Sequence, residues 1–563
     1  MLAPAPFTHA TITSLLDQIG PQHHAQKERL AAIDIFDKER KKYGVKAGID
    51  ALRSETERQK FEITKMKLLD IAGKLNDYSA GNRIKAIVNA GNKDKITALL
   101  GTLEGGVLDA SIRAQRHNEE SIIRLAKLMT RQNPENELKV RRRLRVEQKQ
   151  AVARLNMHLR LIGHDGYHHA TPYQINLRDQ QKDRHEKWAG ETDMTRDGQK
   201  ISMADIMQEA NKKRVAEVYA LSKGLENYAT AAGLTWAFIT LTAPGAMHPN
   251  PEFKHADTEW DGTEPDAAHK WIHKAWRRAE ARLRKNGIIV SGVRVVEPHL
   301  DSCPHWHILI FAHAAEMSQI EEILRQQPGW KNKAGCKFVE NDGRATAASY
   351  LFKYVLKSIS SIEKLEGEAA SVDAWRSTWR LRSIQWFGMP PVGLWRRLRS
   401  LKECPQEKQL GPIWRAARRG DGRAFIGLAG GLNIKKTERP ISSKTTIGDE
   451  TKTITFEIRD TGETVEVTAK KWIKERKVEV IPNYPSKATP KPETPKPTKK
   501  TTRQPWKNSD FGKNKPPRKA RTHFSGRRLY ENSSLTELGT AAARLRGDPR
   551  HRRGVRNRPA RWF

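Results

Sequence analysis

Two histidines separated by one residue stand at the start of a continuous apolar segment that ends at Phe311. An apolar run of this length and composition predicts a β-strand. Because side chains alternate between the faces of a strand, His305 and His307 would point to one face and Trp306 to the other. Two imidazoles on one face of a sheet can bind the same cation.

A carboxylate precedes this histidine pair across a short loop. An antiparallel return of the chain would bring Glu297 close to both His305 and His307. Two nitrogen ligands and one oxygen ligand, with coordination positions left open, suit Mg²⁺ or Mn²⁺ at a phosphate better than a closed structural zinc site. Asp301 and His299, within the loop, are alternative ligands.

Two tyrosines follow in a segment that predicts a helix from about 345 to 358. Tyr350 and Tyr354 are four residues apart, so both phenols would lie on one helix face and could reach one site. The same spacing is also typical of core packing. A tyrosine hydroxyl can attack phosphorus when a metal ion polarises the phosphate. Lys353 and Lys357 would be near enough to contact the nucleic-acid strand whose phosphate is attacked.

The elements that must position these residues follow the order βαββαβα. Strands are predicted at 234–242, 288–297, 305–311 and 336–340, and helices at 265–285, 316–327 and 345–358. A tight hairpin at the centre of this order favours an antiparallel sheet backed by helices, an α+β fold. Thr240 and Thr242, on the first strand, would lie beside the site and help to place a substrate.

The remainder of the chain divides by composition. We predict a mostly helical N-terminal region at 1–215, the sheet-containing core at 216–365, a Trp/Arg-rich helical extension at 366–435, a small isolated β-hairpin at 436–480 and a basic tail at 481–563. The tail has 22 Lys and Arg against 5 Asp and Glu. Such a segment buries too little apolar surface to offset its chain entropy, so the pattern indicates disorder.

Charge and cysteine content restrict the class of protein. The 563 residues carry a formal net charge of +37, which favours a polyanionic partner such as nucleic acid. Cys303, Cys336 and Cys404 form neither a disulfide framework nor a CxxC zinc pattern, so we expect a reducing cytoplasm. No apolar run reaches the roughly 18 residues of a membrane span, so we expect no membrane association.

Three segments, in this order, resemble the HUH (His-hydrophobe-His) superfamily of single-strand DNA nucleases. They are Phe238–Pro244, Val296–Phe311 and Ala347–Lys357. Within that superfamily the sequence is similar to the bacteriophage replication gene A protein family, and the tract Arg380–Arg399 shares the likeness. The resemblance extends from about 215 to 401.

This resemblance implies a rolling-circle replication initiator built on a central antiparallel sheet of the HUH (RRM-like) type. One of Tyr350 and Tyr354 would attack a phosphodiester of single-stranded or supercoiled origin DNA and form a 5′-phosphotyrosine. The freed 3′-OH would prime the host polymerase, and the second tyrosine would end the round. The family holds a divalent cation with the histidine pair and a third side chain, here Glu297. Because the sequence has no P-loop motif, a host helicase would have to open the duplex.

Two other classes of protein remain open. A transposase or plasmid relaxase would share the metal and tyrosine chemistry, although the tyrosines here follow the histidines, an order that favours an initiator. A non-enzymatic basic protein could instead hold a structural zinc with the histidines and bind nucleic acid through Lys and Arg. A nicking assay discriminates the two enzyme classes from the binder.

Overall fold

A computed structural model describes residues 14–18, 26–43, 45–130, 136–252, 259–343, 346–349, 365–433 and 436–474. As predicted, the N-terminal region is mostly helical. Its helices are α1 (Gln26–Tyr43), α2 (Val45–Lys74), α3 (Tyr78–Asn89), α4 (Lys93–Glu104), α5 (Gly106–Gln115), α6 (Glu119–Met129), α7 (Glu137–His158) and α8 (Pro172–Gly190). The predicted basic tail lies outside the described residues.

A short hairpin interrupts this helical region, a feature that the sequence pattern did not predict. It consists of β1 (Asp193–Arg196) and β2 (Gln199–Ser202), and the long helix α9 (Met203–Ala231) follows it directly. Ser202 caps that helix by accepting a hydrogen bond from the backbone of Asp205. The hairpin therefore leads the chain straight into a helix that packs on the central sheet.

The central sheet is antiparallel and has the strand order β6-β3-β5-β4-β7. Its strands are β3 (Thr235–Thr242), β4 (Ser291–Pro298), β5 (Pro304–Ala312), β6 (Cys336–Glu340) and β7 (Ile384–Phe387). The predicted α+β class is confirmed. The strand predicted from residue 288 begins only at Ser291, after Gly287 has turned the chain with a φ of 77°.

The edge strand β7 is a correction to the predicted extension at 366–435, for which we expected helices alone. Ile384, Trp386 and Phe387 are aromatic or β-branched, and such residues favour a pleated, half-buried surface. The strand lies between a left-handed Arg380 and a left-handed Gly388, which separate it from the neighbouring helices. The helices of this region are α12 (Gly367–Trp379), α13 (Val392–Ser400), α14 (Leu410–Arg419) and α15 (Gly422–Leu428).

Helices cover both faces of the central sheet. On one face, α10 (Pro265–Lys285) and α11 (Met317–Arg325) pack on apolar residues that include Ile308 and Ile310. The other face carries Leu309 and Phe311 and is covered by α9, α13, α14 and α15. Helix α10 follows its sequence prediction residue for residue, with Pro265 in its first turn and an apolar stripe facing the sheet.

The predicted hairpin near 453–468 is present, but it belongs to a three-stranded sheet and is not isolated. The strands are β8 (Ile441–Ile447), β9 (Thr451–Ile458) and β10 (Thr464–Lys470), in the order β10-β9-β8. Phe456 is fully buried in the same apolar core as Leu309 and Phe311. A final strand, β11 (Ile473–Lys474), pairs with β1 and ties the end of the described chain to the N-terminal region.

No helix among the described residues is both long enough and apolar enough to cross a membrane.

Candidate metal centre

The register of three neighbouring strands brings the predicted metal ligands together. Glu297 on β4 is directly opposite His305 on β5, and Thr240 on β3 is directly opposite His307. Residues paired in this way have Cβ atoms only about 5 Å apart. The sequence pattern could anticipate this arrangement because the short β4–β5 loop imposes an antiparallel return, and the side-chain period of two then fixes which residues share a face.

Glu297, His305 and His307 form a compact group, which we call the Glu-His-His trio. One ligand atom from each lies within 4.8 Å of the other two. The Nε2 atoms of His305 and His307 are 2.7 Å apart, and Nε2 of His307 is 3.6 Å from Oε2 of Glu297. A cation held at ~2.1 Å by adjacent ligands separates those ligand atoms by ~3 Å, so the donor set fits one small divalent cation.

The trio is the one group of at least three potential metal ligands that the described ranges contain. Glu297 and His307 are 8% and 7% exposed, whereas His305 is half-buried and opens toward solvent. Two imidazoles and one carboxylate do not complete the four ligands of a structural zinc site. The arrangement therefore leaves room for a further ligand on the side of His305.

His307 is oriented by contacts from β3. Oγ1 of Thr240 is 3.2 Å from Nδ1 of His307, and the ring of Phe238 stacks on the imidazole at a centroid distance of 5.6 Å. If Nε2 presents its lone pair to a cation, Nδ1 carries the proton and donates it to Thr240. The hydroxyl of Thr240 can accept that proton, so the contact is compatible with the tautomer in which Nε2 acts as a ligand.

The loop between β4 and β5 holds the two alternative ligands away from the trio's donor set. The carboxylate of Asp301 accepts hydrogen bonds from the backbone of Cys303 at 3.1 Å and pairs with Nδ1 of His248 at 3.0 Å. Burial raises the pKa of Asp301, but the hydrogen bond and charge of His248, the charge of His299 and the hydrogen bond from Cys303 together outweigh it, and the net pKa is lowered. Asp301 is therefore an anion committed to the loop.

His299 packs against the trio without joining it. Its ring centroid is 4.2 Å from that of His305 and 5.0 Å from that of His248. Burial lowers the pKa of His299 well below its usual range, and the neighbouring His305 and His248 act in the same direction. A neutral ring at this position supports the wall of the site without adding positive charge beside a cation.

Helix α12 closes the side of the site next to the β4–β5 loop. Its Trp375 donates a hydrogen bond of 2.9 Å to the carbonyl oxygen of Ser302. The buried carboxylate of Asp373 accepts from Nε of Arg178 at 2.9 Å and from Nζ of Lys182 at 3.0 Å, which fastens α12 to α8. Burial lowers the pKa of Arg376, while the charges of the Asp373 and Glu297 carboxylates act in the opposite direction.

The predicted nucleophiles, Tyr350 and Tyr354, lie outside the described residues, as do Lys353 and Lys357. The described residues just before them are anchored in the core. The backbone N–H of Ala347 donates a hydrogen bond of 2.8 Å to Oε1 of Glu226 on α9. The tyrosine assignment therefore remains a prediction from the sequence.

Residues 109–362 match a family model described as bacteriophage replication gene A protein. This region is similar to that family. The matched range contains the Glu-His-His trio and also Tyr350 and Tyr354. The predicted resemblance to the replication gene A protein family is thereby confirmed for this part of the chain.

Individual proteins that are similar to this chain are named as replication proteins or replication endonucleases. The replication gene A protein of Escherichia phage P2 is 30% identical, over 38% of this chain and 32% of that protein. The probable replication protein P12 of Pseudoalteromonas phage PM2 is 28% identical, over 53% of this chain and 51% of that protein. A probable replication endonuclease from a prophage-like region of Salmonella typhimurium is 27% identical, over 41% and 32%. The chain thus spans between a third and a half of the length of these relatives. No solved structure matches the chain.

Proposed function

We propose that this chain is a metal-dependent DNA endonuclease and strand transferase that nicks a phage replication origin to start and end rolling-circle replication. The observation that carries the proposal is the Glu-His-His trio, assembled by strand register inside a region similar to the replication gene A family. The names of the relatives, which include replication proteins and a probable replication endonuclease, support the same role. We also infer that the central sheet is of the HUH (RRM-like) type.

The proposed reaction exchanges one phosphate ester for another. The phenol oxygen of Tyr350 or Tyr354 attacks the phosphorus of a single-stranded phosphodiester and loses its proton. A bond from phosphorus to that oxygen forms, the bond to the 3′-oxygen breaks, and the 3′-oxygen takes up a proton. The product is a 5′-phosphotyrosine and a free 3′-OH, so the strand is rejoined by the reverse exchange without ATP. The second tyrosine would serve the terminating exchange.

In this proposal Glu297, His305 and His307 hold Mg²⁺ or Mn²⁺. When bound, the cation would polarise the scissile phosphate and offset charge that develops on its oxygens. The described residues supply the rest of the environment: Thr240 orients His307, and the buried Glu297 provides the one anion among the three ligands. The half-buried His305 marks the side from which a phosphate can approach.

We also propose that a lysine on the neighbouring strand contacts the DNA. Lys337 on β6 pairs with Thr240, which itself pairs with His307, so the three residues share one row across the same face of the sheet. Lys337 is exposed, and a lysine side chain reaches far enough along the sheet to contact a phosphate next to the scissile one. We propose that the nicked strand lies across β6, β3 and β5.

The expected partners follow from this chemistry. Origin DNA, single-stranded or supercoiled, is the proposed substrate; a host helicase would unwind the duplex and a host polymerase would extend the 3′-OH. These partners place the protein in the cytoplasm of a bacterial host cell.

The deciding experiment is a covalent nicking assay with the full chain. Single-stranded oligonucleotides tiling the replicon that encodes the chain are incubated with Mg²⁺ or Mn²⁺, and a protein–DNA adduct is detected on denaturing gels. Wild type should give one adduct band from one region of the replicon. Tyr350→Phe and Tyr354→Phe should each reduce adduct formation, the double variant should abolish it, and His307→Ala should abolish it as well.

Tyr78→Phe is the matched control, because Tyr78 is exposed on α3 and stands outside the matched family region. It should form the adduct at the wild-type rate. An adduct that persists in the double tyrosine variant would show that the nucleophile is elsewhere. DNA binding without nicking under any divalent cation would favour the non-enzymatic binder, and a cut at transposon ends or a plasmid transfer origin would favour the transposase or relaxase.

A further inference from the structure

Positive charge accumulates where helices α7, α8 and α12 meet, next to the candidate metal centre. Lys149 of α7 is at the junction, because its Nζ donates to Oγ of Ser377 on α12 at 2.8 Å and to Oε1 of Gln181 on α8 at 3.3 Å. The cations gathered at this three-helix face are the exposed Arg184 and Arg380, the partly buried Arg145, Lys149 and Arg178, and the buried Lys182.

Carboxylates compensate only part of this charge. Asp373 pairs with Arg178 and Lys182, and Glu119 pairs with Arg145. Within the part of the chain that the structure describes, no carboxylate lies within ion-pair distance of Lys149, Arg184 or Arg380. Burial lowers the pKa of Lys149 to about 8, and the positive charges of Arg178 and Arg380 add to that shift. Arg178, Lys182 and Lys149 hold the helices together, whereas the exposed Arg184 and Arg380 add positive charge without an ion pair among the described residues.

We propose that the three-helix face binds the phosphate backbone of duplex DNA that flanks the nicked strand. A polyanion supplies the negative charge that the face lacks, and Lys and Arg gain binding free energy by releasing condensed counterions from the duplex. Arg376 is buried, and the charges of both Asp373 and Glu297 act on its guanidinium, so it links the face electrostatically to the metal centre. The proposal rests on the DNA substrate proposed above.

The chemistry of the face favours a duplex over a single strand. Proteins that bind unpaired bases use exposed aromatic rings as stacking platforms. The exposed rings that follow Arg184 on α8 are the imidazole of His185 and the indole of Trp188, and the ammonium of Lys474 already lies over the indole at 5.6 Å from the ring centroid. The face instead presents side chains that contact phosphates and do not read bases, held on rigid helices.

Salt-dependent binding of the full chain tests this assignment. Fluorescence anisotropy would measure the affinity for a labelled duplex of about 30 base pairs, and for one of its strands, between ~0.05 and ~0.3 M salt. The test variant is Arg184→Gln with Arg380→Gln, two exposed side chains outside the core. The matched control is Lys274→Gln with Arg277→Gln, two exposed cations on α10.

For duplex DNA, the test variant should make the slope of log affinity against log salt shallower by about 1.8. If wild type and variant bind equally at ~1 M salt, the variant should bind roughly 60-fold more weakly at ~0.1 M salt. The control should keep the wild-type slope. An unchanged slope in the test variant overturns the proposal, as does a loss confined to the single strand.

The adduct assay on wild type keeps the two proposals separable. If the salt slope for duplex DNA becomes shallower as expected but wild type never forms an adduct, the duplex-binding proposal stands and the nuclease proposal fails. If wild type forms the adduct and the test variant keeps the wild-type slope, the nuclease proposal stands and the duplex-binding proposal fails.

Discussion

Replacing Thr240 with valine should weaken divalent cation binding without disturbing the fold. Thr240→Val keeps the branched shape that suits β3 and removes only the hydroxyl that contacts Nδ1 of His307. Without that contact, His307 loses the partner that orients its ring and can accept its Nδ1 proton when a cation is bound at Nε2. Such partners typically contribute a factor of about 10 to 100 in metal affinity, or about 1.4 to 2.7 kcal/mol. The bond is 3.2 Å long and Thr240 is half-buried, so we expect a loss of about tenfold.

The assay is a titration of Mn²⁺ into the full chain, with free Mn²⁺ followed by electron paramagnetic resonance. Thr240→Ser restores a hydroxyl at the same position and should recover most of the wild-type affinity, which a purely packing role would not produce. Thr242→Val is the matched control. Thr242 lies on the same strand face opposite His305, and its backbone carbonyl, which accepts a hydrogen bond from Trp330, is retained in the variant.

The cleavage assay provides a second measure of the same effect. If Thr240 acts through the cation, raising the Mn²⁺ concentration about tenfold should restore the adduct rate of Thr240→Val, whereas His307→Ala should not recover. Unchanged Mn²⁺ affinity in Thr240→Val, or an equal loss in Thr242→Val, would refute the tautomer argument. In that case His307 either is not a ligand or is oriented by the strand alone.

Four further changes test the surroundings of the site. Asp373→Asn leaves two buried cations without their carboxylate and should reduce the free energy of unfolding, measured in urea, by about 3 to 5 kcal/mol. Phe456→Ala should cost a similar ~3 to 5 kcal/mol in a single unfolding transition, because this ring lies in the core of the central sheet; a separate transition for the three-stranded sheet would contradict that. The pKa of Lys149 is lowered from 10.5 to about 8, so its charged form destabilises the folded state below about pH 8. As pH rises from 8 to 10.5 the folded chain loses this proton before the unfolded chain does, so the stability of wild type relative to Lys149→Met should rise by up to about 3 kcal/mol. Lys337→Gln should weaken binding of single-stranded DNA and lower its salt slope by about 0.7, and an unchanged slope would remove this residue from the strand path.

Local pattern was enough to predict four of the five strands of the central sheet and the trio. Alternating apolar residues give the strands, a short loop gives the antiparallel return, and the period of two then brings Glu297, His305 and His307 onto one face. Each of these steps depends on residues that are close in sequence. For the same reason the helix α10 could be predicted to the residue, since its proline, its stripe and the following glycine are all local signals.

Apart from the local β1–β2 hairpin, the features that the sequence did not predict depend on partners far along the chain. Four residues at Ile384–Phe387 become a strand only because the edge of β4 is available to pair with them. In the same way, Asp373 meets Arg178 and Lys182 across nearly two hundred residues, and nothing near any of the three specifies that meeting. The three-helix face is a consequence of this long-range packing. Its cations are scattered through sequence that predicts ordinary solvated helices, and they become one surface only when α12 closes against α7 and α8. A polyanion would therefore stabilise this junction in the folded chain, and the same charges would have no common partner in the unfolded one.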